Sequence, residues 1–195
     1  MTFLLGLTGS IGMGKSTTAQ IFRDLGHPVW DADQAVHRLY TPGGAGVGPV
    51  AAAFPGAMRE GGIDRGPLKA LIADDPGALD RLSAIVHPLV AADREDFIAR
   101  HPDAVLVVLD IPLLYENGYE AWMDGVAVVS TDAAIQRQRV MARPGMTQDL
   151  LALILSRQMP DAEKRARADW IIPTDSPGAA RQAVEDIVKE IAARA

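Results

Sequence analysis

The stretch that most limits what this chain can fold into is Gly9-Ser10-Ile11-Gly12-Met13-Gly14-Lys15-Ser16, which follows the apolar run from Phe3 to Leu7 and opens into a helical pattern. Glycines at 9, 12 and 14 are read as places where the backbone turns with positive φ and approaches an anion closely, so that successive N–H groups point at phosphate oxygens. The helix that follows adds its N-terminal dipole, and Lys15 adds a charge able to reach β- and γ-phosphates. Ser16 offers a hydroxyl to Mg²⁺, and Thr17 a further phosphate contact. The spacing G-x-x-x-x-G-K-[ST] between a strand and a helix is the context this motif requires, so the chain is expected to hold a nucleoside polyphosphate.

The rest of the chain supplies a sheet for that loop. Pro28-Val29-Trp30, Val105 to Leu109, Val126 to Val129 and Trp170-Ile171-Ile172 read as short buried strands separated by helical patterns, and with the first strand they make five. Such alternation predicts a parallel sheet in an α/β fold. The second strand ends in Asp31-Ala32-Asp33, at the carboxyl end of a strand where open α/β sheets hold ligands; either Asp could also cap a helix beginning near Gln34. Asp110 follows the strand ending at Leu109, as a carboxylate near bound Mg²⁺ would, and as an Asp that merely begins a loop also would.

Between residues 40 and 100 the chain leaves the sheet for a segment expected to be helical throughout, with a break or kink at His87-Pro88 and a solvated charged face from Asp93 to Arg100. Arg137, Arg139, Arg143 and Arg157 crowd a later segment. Arg139 and Arg143 are four apart, hence on one predicted helix face, which either belongs to a flap closing over phosphates or is simply a solvated charged face. After Gly145 a second flap helix carrying Leu150, Leu151, Ile154 and Met159 is expected to return to the core. Ser176-Pro177 starts a terminal helix with an apolar stripe from Ala180 to Ile191.

Composition excludes several classes. There is no Cys, so disulfides, thiolate metal sites and Cys nucleophiles are absent, and the four His lack metal-ligand spacing. A net charge of −6 argues against a nucleic-acid surface. No apolar run reaches membrane-spanning length and Met1-Thr2-Phe3 has no basic leader, so a cytoplasmic location is expected. Asn117 is the chain's one Asn and no Lys-x-Asp follows it, so the guanine-reading motif of a GTP switch is missing. A kinase of small molecules and a non-catalytic ATP scaffold are the other readings that the loop allows. The scaffold would not require Asp33 and the flap arginines together.

Several motifs in order sharpen this. Leu7-Thr8-Gly9 through Thr17, Asp31-Ala32-Asp33, Gly62-Ile63-Asp64-Arg65, His87-Pro88, Pro112-Leu113-Leu114-Tyr115-Glu116, Gln136-x-x-Arg139-x-x-x-Arg143 and Gln158 make the chain resemble the dephospho-CoA kinases nearly end to end. The resemblance implies a nucleoside-monophosphate-kinase-like P-loop fold, three-layered α/β/α around a five-stranded parallel sheet. It divides the chain into a nucleotide-binding core (1–33, 104–135 and 166–195), a helical insertion for the CoA-like substrate (34–103) and a short lid (136–165). The implied reaction moves the γ-phosphoryl of ATP to the ribose 3′-hydroxyl of dephospho-CoA.

It also implies roles. Asp33, Lys15 and Arg139 would be catalytic: Asp33 orients the 3′-hydroxyl, Lys15 neutralises phosphate charge, and Arg139 arrives with the lid. Gly9, Ile11, Gly12, Met13, Gly14, Lys15, Ser16, Thr17 and Arg143 would hold ATP. Thr8, Asp33, Arg65, His87, Pro112, Leu113, Leu114 and Glu116 would hold the acceptor. Mg²⁺ would sit on Ser16, with Asp33 a second candidate ligand. The expected partners are the two small substrates, without nucleic acid or membrane, in a monomer or weak homo-oligomer. Ser10, Pro144 and Pro173-Thr174-Asp175 depart from the family's usual pattern, the last where adenine contacts are expected.

Overall fold

The computed structural model describes residues 2–194. The chain divides into two compact units, one made of Met1–Trp30 with His101–Ala195 and the other of Asp31–Arg100.

In the first unit, β1 (Phe3–Thr8) leads through the glycine loop into α1 (Lys15–Asp24), and β2 (Val29–Asp31) follows, its last residue being the first of the second unit. Later come β5 (Leu106–Asp110), β6 (Gly125–Ser130), α6 (Ala133–Met141), α7 (Gln148–Ser156), α8 (Asp161–Arg167), β7 (Trp170–Pro173) and α9 (Pro177–Ala192). The five-stranded sheet has the order β2-β5-β1-β6-β7. β1 pairs in parallel with both β5 and β6, and β6 with β7. β1 therefore lies in the middle, and β5 and β6 are buried along their whole length. This is why their sequences read as continuous apolar runs.

The core on one side of this sheet joins Leu5, Leu7, Val108, Val129 and Ile172 to Phe22 of α1 and to Val184, Ile187 and Ile191 of α9. Those α9 residues, with Ala180, recur at three- and four-residue steps, the spacing of one helix face. Ser176 caps α9 by accepting from the Ala179 N–H at 3.2 Å, with Pro177 in its first turn.

The second unit carries α2 (Ala32–Tyr40), α3 (Val47–Ala53), β3 (Met58–Arg59), β4 (Gly62–Ile63), α4 (Arg65–Ala73) and α5 (Ala78–Ala99). Its own core gathers Leu39, Tyr40, Val50, Phe54, Ile63, Leu68 and Val86. The segment is not helical throughout, because β3 and β4 form an antiparallel hairpin. Its two turn residues, Glu60 and Gly61, both take positive φ, 48° and 81°, as a tight hairpin turn requires. Nor does the helix break at His87: α5 runs 22 residues with Pro88 inside it. The ring removes a single hydrogen bond there. Asp93 is likewise not merely solvated, since it accepts from Arg38 of α2 at 2.5 Å.

Candidate active site

The glycine loop leaves β1 at the carboxyl edge of the sheet, and Asp110, opposite Leu7 in the register, ends the neighbouring β5. Gly12 and Gly14 take φ of 78° and 91°, as the sequence leads one to expect, but Gly9 does not lie at positive φ. Its requirement is proximity: a Cβ on Gly9 would stand 2.3 Å from Val129 Cγ2 and 2.9 Å from the Val129 carbonyl oxygen. The loop is packed directly against β6. Ser10 has negative φ, so its departure from glycine costs no strain there.

Lys15, Ser16 and Thr17 occupy the first turn of α1, where helix geometry leaves their N–H groups without intrahelical acceptors. Ser16 and Thr17 are exposed. The Lys15 ammonium forms an ion pair with Asp110, whose carboxylate is almost wholly buried. A buried carboxylate needs such a partner, and here the partner is the cation of the phosphate motif. The site thus places three unpaired N–H donors, one hydroxyl, one ammonium and one carboxylate at one end of α1. Among the described residues no three His, Asp or Glu side chains gather into a metal cage. The oxygens of Ser16 and Asp110 instead suit a hard divalent cation that keeps most of its ligands as water and phosphate.

Thr174 is a hub that the sequence showed only as a departure. It is buried, and its hydroxyl lies 2.7 Å from the Met13 carbonyl and 3.3 Å from that of Ser130. Arg139 Nη2 donates to the Thr174 carbonyl at 2.6 Å, and Nη1 to its hydroxyl at 3.3 Å. A Cβ on Gly14 would meet Thr174 at 3.1 Å. Arg139 is thereby connected through Thr174 to Met13 of the loop. Arg143 is not on its helix face: α6 ends at Met141, and Arg143 is exposed beyond the end. On α7, Leu151 is buried but Leu150 is exposed, so only part of the expected stripe packs inward.

The turn after β5 is fastened from two sides. Thr8, fully buried, donates its hydroxyl to the Pro112 carbonyl at 3.1 Å. Leu114 is buried, whereas Leu113 is exposed. Glu116 accepts from the Met159 N–H at 2.7 Å and pairs with Lys164 Nζ at 2.8 Å. Burial pushes the Glu116 carboxyl up, but the Lys164 and Met159 hydrogen bonds outweigh it and hold the group below its ordinary value. Lys164 itself is completely buried. In the sequence it sits among alternating charges, with no signal to separate it from a solvated face.

Within the second unit, Asp31 and Asp33 divide their duties. Asp31 caps α2, accepting from the Gln34 N–H at 3.0 Å, so the helix starts at Ala32. Asp33 is exposed in the first turn without that task. Asp64 caps α4. Arg65 follows it with its guanidinium 5.9 Å from the centre of the Tyr40 ring. His87 is exposed on α5.

The profile of the dephospho-CoA kinases matches residues 3–179. The chain belongs to this family. A dephospho-CoA kinase from Jannaschia sp. (strain CCS1) is 57% identical, with the match covering 98% of this chain and 98% of the relative. A crystal structure of a Thermus thermophilus protein superimposes with a TM-score of 0.84 at 34% identity, covering 97% of each chain. The dephospho-CoA kinase from Campylobacter jejuni superimposes at 0.66 with 25% identity, again over 97% of each. Family and fold both agree with a P-loop kinase. Among the described residues no helix is long and apolar enough to cross a membrane.

Proposed function

We propose that this chain is a dephospho-CoA kinase that transfers the γ-phosphoryl of ATP to the ribose 3′-hydroxyl of dephospho-CoA, forming CoA and ADP. The observation that carries this reading is the family match along residues 3–179, on a chain whose phosphate loop and Lys15–Asp110 pair are in place.

Phosphoryl transfer needs alignment and charge stabilisation more than covalent chemistry, and the residues divide those tasks. The N–H groups at the start of α1 and the Lys15 ammonium would hold the β- and γ-phosphates. Asp33 would orient the acceptor hydroxyl and take its proton. Arg65, His87 and the turn from Pro112 to Leu114 would hold the acceptor. Glu116, whose carboxylate is engaged by Lys164 and Met159, would serve by fixing that turn. ATP-dependent kinases generally need a divalent cation. Ser16 and Asp110 would hold Mg²⁺ with the phosphates, with Asp33 a second candidate ligand; when bound it neutralises phosphate charge.

Arg139 would supply charge to the phosphoryl group in flight. To do so it exchanges the Thr174 carbonyl for a phosphoryl oxygen, a stronger, charge-assisted partner. Arg139→Ala is therefore expected to lower kcat by about 10²-fold or more while the affinity for ATP changes far less. Steady-state kinetics beside nucleotide titration check this; equal losses in both would mean uniform binding.

The reading itself is tested by incubating the purified chain with Mg-ATP and dephospho-CoA and measuring CoA by chromatography. CoA should accumulate with ADP in equal amounts. A folded protein that binds ATP but phosphorylates a nucleoside or sugar acid, and not dephospho-CoA, would assign it to another small-molecule kinase.

A further inference from the structure

The tip of the phosphate loop is gripped from outside by two amides. The Ile11 N–H donates to Gln158 Oε1 at 3.0 Å, and the Ile11 carbonyl accepts from Gln136 Nε2 at 2.8 Å. Both polar groups of a single loop residue are thus engaged by side chains, more than a hundred positions away in the chain. Gln136 is buried on α6, and that helix packs tightly here: a Cβ on Gly12 would meet Val140 Cγ2 at 2.4 Å and the Gln136 carbonyl at 3.1 Å. Gln158 lies just beyond α7, next to Met159, the residue that Glu116 anchors.

The grip fixes more than Ile11. Peptide groups are planar and trans, so the C=O and N–H of one unit point opposite ways. Holding the Ile11 carbonyl toward Gln136 turns the Gly12 N–H away from α6. Holding the Ile11 N–H toward Gln158 turns the Ser10 carbonyl the other way, and there it accepts from the Met13 N–H at 3.2 Å. Two peptide planes of the loop are set by two side chains, and the loop's own cross-link follows from one of them. We propose that Gln136 and Gln158 are positioning residues that lock the Ile11 peptides from both sides, so that the shape of the phosphate cradle depends on α6 and on the return of the segment after α7. The inference rests on the phosphate-binding part of the kinase reading, and not on the identity of the acceptor.

The two amides have opposite hydrogen-bonding duties, which makes the proposal testable. Gln136 must donate and Gln158 must accept. A glutamate keeps size and an acceptor but has no donor when ionised. Gln158→Glu should therefore preserve the grip and Gln136→Glu should break it, although both add the same charge. Gln136→Met and Gln158→Met should each break it without adding charge.

Mg-ADP binding to the full-length chain is measured by calorimetry, with KM for ATP, kcat, and the melting temperature of the nucleotide-free protein. The two Met variants should bind Mg-ADP about tenfold more weakly and raise KM by a similar factor, the scale of one lost hydrogen bond with its partner left unpaired. Their kcat should fall less than KM rises. Gln158→Glu should stay within about threefold of the parent, and Gln136→Glu should lose at least as much as Gln136→Met. Equal behaviour of the two Glu variants, or unchanged Mg-ADP binding in both Met variants, overturns the proposal. A merely structural role would shift melting temperature without separating the Glu pair. If the parent binds Mg-ADP but leaves dephospho-CoA unphosphorylated, the acceptor assignment fails while the ADP titrations still decide the grip.

Discussion

Asp33→Asn is expected to lower kcat by about 10²- to 10⁴-fold, the usual worth of a positioned general base, while the affinity for ATP stays near the parent's. The contrast with Asp31 gives the prediction its force. Asp31 and Asp33 stand two apart at the same strand end, and either could have capped the next helix. The structure gives that task to Asp31, whose carboxylate accepts from the Gln34 N–H. Asp33 is exposed and carries no cap. Asp33→Asn keeps the side chain's shape, so its structural cost is limited to the favourable interaction of a carboxylate with the helix N-terminus, about 0.3–1 kcal/mol. Asp31→Ala removes a cap and should cost about 1 kcal/mol of stability with kcat within a few-fold of the parent. Measuring kcat, KM for ATP and thermal melting for both variants separates the roles. A similar collapse of kcat in Asp31→Ala, or an active Asp33→Asn, would remove Asp33 from the chemistry.

How legible the site was in the sequence depended on how local its determinants are. The phosphate loop could be read because its glycines, Lys15 and Ser16 are consecutive, although Gly9 turned out to serve close packing on Val129 instead of positive φ. The strands could be read because burial on both faces leaves continuous apolar runs. A four-residue step from Arg139 predicts a helix face for Arg143, but nothing in the step says that α6 stops at Met141. The β3–β4 hairpin leaves no periodic signal because two-residue strands are too short to show alternation; its Glu-Gly-Gly turn is the one local cue. Pro88 does not break the helix because the residue before proline is only biased away from helix, and in α5 that bias is overridden. Thr174, Gln136, Gln158 and Lys164 act through partners far away in the chain, and such pairs leave no periodic trace.

Lys164 shows what such a hidden residue contributes. Lys164→Met should cost about 3 kcal/mol of stability, toward the lower end for removing one partner of a buried ion pair, because Glu116 keeps some solvent exposure. For a chain of this length the melting temperature should fall by about 6–12 °C. The dependence on pH has a definite sign. In the parent, the depressed Glu116 carboxyl contributes stability that is present above its unfolded value of 4.5 and lost as pH falls through the folded one. In Lys164→Met the cation is gone, and only the hydrogen bonds from the Met159 N–H and from its own backbone remain to hold the carboxyl down against burial. The variant should therefore draw less stability from Glu116 at neutral pH, and the gap to the parent should narrow as pH falls below 4.5 and the parent loses its own contribution. Adding Glu116→Leu to Lys164→Met should recover part of the loss at neutral pH, because the buried charge without its cation is removed while the Met159 N–H loses its acceptor. Nucleotide binding supplies the functional readout. Glu116 holds the Met159 N–H, and Gln158 beside it accepts from Ile11 in the loop. Loss of Lys164 should thus loosen Gln158 and weaken Mg-ADP binding even at temperatures where the variant is fully folded. A variant that is destabilised but binds Mg-ADP like the parent would show that the anchor and the loop are independent.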